Sequence, residues 1–257
     1  MKRKYFSIIS AAVLVISVGA LVAARPVRAG FPVSASSASP ASSGVVKGTV
    51  KVKGTLPKNM RIDMSQDPKC AQAHAGSGST EDFVADANGD LENVVVYVSA
   101  GIPSDLKFDV PAEPVVLEQK GCTYRPHVVA LRANQELKVV NADSTTHNIH
   151  PSPNNNRELN QTQPPGVPFS MTFAREEISI PVKCNIHPWM RSYFAVFKHP
   201  FFAVTNKDGS FEIGNLPPGS YTLTAWHEKL GTSFQKITVG ESETKTIDFT
   251  FKAEAGS

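Results

Sequence analysis

The stretch of sequence that decides the fold is Cys184–Met190, CNIHPWM, which places a thiol, an imidazole and a thioether on one short loop. Two further imidazoles lie upstream in His147–His150, HNIH, shortly after the strand-like stretch 137–140. A tight loop between two strands directs its side chains to one point, and a group distant in sequence then completes the cluster from a neighbouring strand. His147 suits that role because the polar stretch 141–144 ends the strand before it.

These segments supply one set of four donors for a metal ion, which are His147, Cys184, His187 and Met190. Thiolate and thioether sulfur favour Cu(I), and imidazole serves both oxidation states. A trigonal plane of two imidazoles and a thiolate with a long axial thioether is the blue-copper site. Zinc competes for cysteine and histidine, but methionine is a poor zinc ligand, so the set favours copper. His150 is three residues past His147 and points to the opposite face of a strand, so we expect it to be a neighbour of the site or a surface residue rather than a ligand.

Residues 182–191 resemble the ligand loop of the cupredoxins, the amicyanin- and plastocyanin-like blue copper proteins, and most closely the short loop of amicyanin. Residues 147–150 resemble the first-histidine segment of the same family. The resemblance covers about a third of the chain, roughly residues 115–198, and implies a Greek-key β-sandwich that holds one type 1 copper ion. It implies that Met190 is the weak axial ligand and that the strong equatorial ligands are His147, Cys184 and His187.

The resemblance also implies roles for residues around the ligands. Asn148 would hold the ligand strand and hydrogen-bond near the thiolate sulfur, which tunes the reduction potential. His187 would be the exposed ligand and the port for electrons. The face formed by His187 and Trp189 would meet redox protein partners, with Ile186 and Pro188 on its apolar rim.

The function implied is that of an extracytoplasmic mononuclear type 1 copper protein that carries single electrons between redox partners and is not an enzyme. Two other functions stay open: copper binding or trafficking without fast electron transfer, and an envelope scaffold or adhesion protein that carries a metal site. A binuclear centre of the oxidase type needs two cysteines in the ligand loop to bridge the metals, and this loop has only Cys184.

The N-terminus has the order of a secretory signal peptide, with basic residues at 2–4, an uncharged run over 6–24 and small residues up to Ala29. We expect cleavage after Ala29 and a periplasmic or otherwise extracytoplasmic location. The apolar run is long for a signal peptide, so a retained anchor is the alternative, and only then would the protein contact a membrane. Removing residues 1–29 changes the formal charge from +3 to −2, which leaves no basic patch that would favour nucleic acid.

The remaining chain is predicted to be all-β. Residues 30–44 form a linker rich in Ser, Ala and Pro. Residues 45–114 begin with alternating strand-like sequence and form a β-rich N-terminal region, either one small β unit or extra strands packed on the copper module. The stretch 60–75 has room for one short helix.

Residues 199–252 form a further module of short strands with tight turns, followed by a tail at 253–257. Gly209 and Leu216–Tyr221 resemble the carboxypeptidase regulatory-like, prealbumin-type β-sandwich, a likeness that concerns the fold and is nearly silent on function.

The other two cysteines and two of the histidines allow alternatives. In an oxidising compartment Cys70 and Cys122 can form a disulfide, which leaves Cys184 free for the metal. On a helix, Cys70 and His74 would instead share a face and could bind a metal themselves. His127 is either a hydrogen-bonded core histidine or a neighbour of the metal site.

Overall fold

The computed structural model describes residues 42–74 and 78–253, so the predicted signal peptide, nearly all of the predicted linker and most of the tail lie outside the described residues. The regular elements of that part are one short helix and β-strands, which confirms the all-β prediction. No helix of the described residues is long and apolar enough to cross a membrane.

The elements in chain order are β1 (Gly44–Lys53), β2 (Arg61–Ile62), α1 (Pro68–Ala73), β3 (Gly78–Ser79), β4 (Val95–Ala100), β5 (Val115–Gln119), β6 (Tyr124–Arg125), β7 (Val128–Arg132), β8 (Leu137–Asn141), β9 (His147–Pro151), β10 (Gln161–Gln163), β11 (Phe169–Met171), β12 (Glu177–Lys183), β13 (Arg191–Phe197), β14 (Phe202–Val204), β15 (Ser210–Leu216), β16 (Gly219–His227), β17 (Gly231–Val239), β18 (Thr244–Thr246) and β19 (Phe249–Lys252).

One sandwich holds the C-terminal strands. Its first sheet has the order β15-β1-β18, with β19 also paired to β1, and its second sheet has the order β14-β4-β16-β17. The two sheets enclose an apolar core that includes Val50, Phe211, Leu223 and Phe249. Alternating valines on β1 supply one wall of this core, because every second side chain of a strand points to the same face.

The strands of the region 45–114 are distributed differently from either expectation for it. β1 lies between β15 and β18, and β4 lies between β14 and β16, so both belong to the same sandwich as residues 199–252. The physical reason is that each C-terminal sheet lacks a central strand without them. The segment with β2, α1 and β3 packs instead on residues 115–198, through Met64 and Cys70.

A second sandwich is formed by residues 115–198, between β4 and β14 in the chain. Its sheets have the orders β10-β9-β12-β13-β7 and β11-β8-β5-β6. They enclose a core that includes Leu117, Leu137, Ile149 and Phe194. β9 and β12 are not consecutive but pair antiparallel, with Lys183 opposite His150. This pairing places the start of β9 beside the loop that follows β12.

The two sandwiches meet at an apolar contact that includes Val95, Val128 and Phe197. Beside it, His127 Nε2 donates a hydrogen bond to Glu228, whose side chain is 4% exposed. His127 is thus a hydrogen-bonded histidine of the junction, which is the first of the two alternatives for it. Burial lowers the pKa of His127, but the hydrogen bond to Glu228 and the nearby carboxylates outweigh burial, and the pKa lies above its usual 6.5.

Val50→Ala tests whether β1 belongs to the C-terminal sandwich. The change removes buried methyl groups, so we expect it to lower the free energy of unfolding by about 2 kcal/mol. Native-state hydrogen exchange should quicken in β15 and β19 more than in β9 and β12. Val116→Ala, at a half-exposed position of β5, is the control and should have little effect. Faster exchange confined to β9 and β12 would contradict this assignment.

Glu228→Gln tests the junction through its pH dependence. A histidine whose pKa is raised in the folded protein stabilises it fully below pH 6.5, and this contribution is lost as the pH rises through the folded-state value. We therefore expect Glu228→Gln to cost about 2 kcal/mol at pH 6 and less at pH 9, measured by urea denaturation. The exposed Glu212→Gln is the matched control. An equal loss at both pH values would refute the role of the charge.

Candidate metal centre

The ligand loop is fixed by the strands on either side of it and by its own backbone. It follows β12 at Lys183 and precedes β13 at Arg191, and these two residues are paired. The Cys184 N–H donates to the carbonyl of Met190 over 3.2 Å, and the Met190 N–H donates to the carbonyl of His187 over 3.0 Å. The loop is therefore a closed turn held by its own backbone hydrogen bonds.

Three of the four predicted donors meet at one point. The Nδ1 atoms of His147 and His187 are 3.0 Å apart, and His187 Nδ1 is 3.8 Å from the Cys184 sulfur. All three residues are at most 2% exposed. Donors that share one ion at about 2.0 Å for nitrogen and 2.3 Å for sulfur lie roughly 3 to 4 Å from one another, so these spacings fit a bound ion. Met190 is fully buried in the same apolar cluster as Cys184.

The outer nitrogen of each imidazole bonds a carboxylate. His147 Nε2 lies 2.8 Å from Asp143 Oδ2, and His187 Nε2 lies 2.9 Å from Asp67 Oδ2. An ionised carboxylate only accepts, so each Nε2 carries the proton. The two Nδ1 atoms are then the ones that face each other, and they are the nitrogens that would bind a shared cation. Carboxylate–histidine pairs of this kind are typical of metal sites, where they fix the tautomer and the ring orientation.

The Cys184 sulfur is held as an acceptor. It accepts hydrogen bonds from the backbone N–H of Asn148, over 3.3 Å, and of His187, over 3.4 Å. Burial raises the pKa of the Cys184 thiol, but hydrogen bonds from His147 and from the backbone outweigh burial and bring the pKa below its usual value. The sulfur is thus prepared to act as a thiolate, which is the form that binds metal.

Asn148 also ties β9 to the ligand loop through its side chain. Its Oδ1 accepts from the Asn185 N–H over 3.2 Å, and its Nδ2 donates to Asn160 Oδ1 over 2.6 Å. Tyr124 donates its hydroxyl to the Asn148 carbonyl, so both the side chain and the backbone of Asn148 are fixed.

The site collects negative charge around two imidazoles. Burial raises the pKa of Asp67, but hydrogen bonds, first that of His187, bring it down to about 2. Burial likewise raises the pKa of Asp143, and the hydrogen bond from His147 with those of the backbone brings it below its usual range. Burial lowers the pKa of His147, but Asp143 and Cys184 outweigh it and raise the value. These pKa shifts, toward ionised carboxylates and a protonated imidazole, describe a buried site that favours a positive charge.

The expectation that His187 is exposed is wrong, because its side chain is 3% exposed. Asp67 covers its outer nitrogen, and the sulfur of Cys70 lies 3.7 Å from the same atom. The physical reason is that the segment with α1 packs over the ligand loop through Met64 and Cys70. The exposed apolar side chain of the loop is instead Ile186, at 48%.

The remaining cysteines and histidines lie around this centre in other roles. Cys70 and Cys122 form a disulfide, and Cys184 is the free cysteine. The alternative of a metal site made by Cys70 and His74 is therefore excluded, and His74 Nε2 instead contacts the Gly121 carbonyl. His150 bonds Asn185 over 3.0 Å and Glu158 over 2.6 Å, on the other side of β9 from the ligands.

Sequence reasoning missed both carboxylates. Asp143 stands four residues before His147, which is a signal that could have been used. Asp67 lies 120 residues from His187, and nothing in the sequence connects the two.

A family model of the carboxypeptidase regulatory-like domain matches residues 198–252, which agrees with the resemblance predicted for 199–252. No curated protein matches the chain.

Three solved structures are similar to part of the chain. The Cu-containing nitrite reductase of Thermus scotoductus SA-01 is 18% identical, with a TM-score of 0.32, over 39% of this chain and 26% of its own. A purple cupredoxin from Nitrosopumilus maritimus is 20% identical, with a TM-score of 0.28, over 32% of this chain and 98% of its own. Amicyanin from Paracoccus versutus is 22% identical, with a TM-score of 0.30, over 39% of this chain and 96% of its own. At these TM-scores none of them carries weight for the function, which depends on the geometry of the site.

Asn148→Ala should weaken metal binding while leaving every donor in place. The variant loses the side-chain bonds that join β9 to the loop, and such outer partners change metal affinity by about 10- to 100-fold. Competition with a Cu(I) chelator measures the effect. Asn206→Ala, in an exposed turn of the other sandwich, is the control and should bind as the wild type does. Unchanged affinity in Asn148→Ala would show that the bridge is dispensable.

Proposed function

We propose that the protein is an extracytoplasmic mononuclear copper protein that carries single electrons between redox partners. The observation that carries the proposal is the convergence of the Nδ1 atoms of His147 and His187 and the Cys184 sulfur on one point. Met190 follows in the same loop and would supply a weak thioether ligand. Copper held there would supply a one-electron couple between Cu(II) and Cu(I).

The protein's own residues would serve this function by fixing the positions of the donor atoms and by excluding water from the site. The loop is closed by its backbone hydrogen bonds, and the imidazoles are held from behind by Asp67 and Asp143. The N–H groups of Asn148 and His187 would stabilise negative charge on the Cys184 sulfur whether the bound copper is Cu(I) or Cu(II). A site whose donors do not move has little to reorganise when an electron enters or leaves.

The buried donors also bear on the choice between a carrier and an enzyme. All three converging donors are buried, which supports a site that exchanges electrons and transforms no substrate. Because His187 is covered, we place the partner face over Ile186 and Trp189. The Trp189 ring lies 5.1 Å from the His187 ring between centroids and connects it to the edge of the site.

Copper trafficking is the second candidate. The observation that favours it is the cover of Asp67 and the Cys70–Cys122 disulfide over His187, which keeps a redox partner from touching this ligand directly and would therefore slow electron exchange. The disulfide itself supports an oxidising compartment, in agreement with the proposed location outside the cytoplasm. Slow electron self-exchange together with tight Cu(I) binding would select trafficking.

Adding Cu(II) to the purified protein and recording its visible spectrum tests the proposal. We expect an intense thiolate-to-copper band that disappears on reduction. Cys184→Ser should abolish the band, because a hydroxyl does not replace the thiolate. Met190→Leu should keep the band and raise the reduction potential, because an apolar neighbour favours the less charged Cu(I) state. A band that persists in Cys184→Ser, or a wild-type protein that stays colourless and binds Zn(II), would refute the assignment.

A further inference from the structure

Each end of the disulfide lies against one of the carboxylates that hold the imidazoles. Asp67 Oδ1 accepts the N–H of Cys70 over 3.2 Å, and Asp67 Oδ2 bonds His187. At the other end, Asp143 Oδ2 accepts the N–H of Cys122 over 2.8 Å and also bonds His147. One aspartate therefore links each end of the disulfide to one imidazole. Asp67 links Cys70 to His187, and Asp143 links Cys122 to His147.

We propose that the Cys70–Cys122 disulfide positions both imidazoles of the centre through Asp67 and Asp143, and that these two aspartates are positioning residues. The link to copper rests on the function proposed above, but the positioning itself concerns the protein alone. Neither carboxylate touches the point where the three donors converge. They act on it through the imidazoles.

The turn at Gly121 and Cys122 is shaped to hold Asp143. Both residues have positive φ, 63° and 53°, and their consecutive N–H groups both point to the Asp143 carboxylate. Such a pair of N–H groups forms a small anion-binding nest, and Asp143 accepts the Gly121 N–H over 2.7 Å and the Cys122 N–H over 2.8 Å. A left-handed conformation is unusual for a cysteine. At Cys122 it is stabilised by the hydrogen bond to Asp143 and by the disulfide to Cys70.

The short helix α1 is shaped to hold Asp67 in the same way. Asp67 is its N-cap and accepts the Lys69 N–H over 2.9 Å as well as that of Cys70. One oxygen caps the helix, and the other faces His187 and the Thr145 hydroxyl, 3.2 Å away. The cap thus fixes the direction of the oxygen that His187 needs.

The two connections differ in how much they need the disulfide. Asp143 is four residues from His147 in one loop, and its N–H donates to Asn141 Oδ1 over 3.0 Å, so the loop itself supports it. Asp67 comes from a distant part of the chain. Besides the disulfide, its segment is tied to this loop by Thr145 and by Lys69 Nζ, which donates to the Ser144 carbonyl over 2.6 Å. Loss of the disulfide should therefore release His187 before His147.

Nuclear magnetic resonance of the ring nitrogens in the copper-free full chain tests the proposal. In the wild type we expect an Nε2 proton on His187 that exchanges slowly with water. Asp67→Ala should make that exchange at least about 10-fold faster, and Asp67→Asn, which keeps an acceptor oxygen and a good helix cap, should restore it. The double variant Cys70→Ala and Cys122→Ala should resemble Asp67→Ala at His187 and leave the His147 signal nearer the wild type. Asp208→Ala, in a turn of the other sandwich, is the control.

Copper release to a chelator gives a second readout, and we expect it to be about 10- to 100-fold faster in Asp67→Ala and in the double cysteine variant. An unchanged His187 signal in Asp67→Ala would overturn the proposal. So would a double cysteine variant that folds and keeps the wild-type signal. If the double variant does not fold, Asp67→Ala and its rescue by Asp67→Asn decide the matter with the disulfide intact. A wild-type protein that binds no copper would refute the proposed function. The ring-proton measurement would still test whether Asp67 and the disulfide position His187.

Discussion

The antiparallel pairing of β9 with β12 is the interaction on which the rest of the structure depends. These strands are separated in the chain by β10 and β11, yet Lys183 is opposite His150 and Val182 is opposite Pro151. The pairing brings His147, at the start of one strand, to the loop that follows the other. A shift of one residue would turn His147 to the opposite face of the sheet and remove it from the cluster. Ile149, buried in the core two residues along, holds the register on that face.

The parts of the site that the sequence could predict are those with local information. The order and spacing of Cys184, His187 and Met190 are enough to place three donors on one loop. The alternation of β1 and the turn residues were enough to predict strands, and Asp67 followed by Pro68 is a typical beginning of a helix. Each of these depends on residues within about ten positions of one another, where geometry leaves few alternatives.

What could not be predicted depends on contacts between distant residues. The cover over His187 comes from α1, and Asp67 has no local feature that marks it as the partner of an imidazole rather than as a helix cap. In the same way, β1 has the sequence of a half-buried strand that fits beside any apolar sheet. Its place between β15 and β18 is decided by the gap in the C-terminal sandwich, which only the whole fold defines.

The segment that covers His187 affects the passage of an electron and the passage of a metal ion differently. A metal ion that enters or leaves the site binds or releases its donors one after another. Each donor that is buried and fixed by hydrogen bonds therefore slows metal exchange. An electron needs only a short path through bonded and packed atoms, and here the Trp189 ring packs against His187 while its Nε1–H donates to the Cys122 carbonyl over 3.0 Å. In the proposed carrier, the same contacts that slow the passage of a metal ion would leave a route for an electron. A cover fastened by a disulfide and two carboxylates therefore fits the proposed carrier, which keeps its metal, better than a protein that hands its metal on.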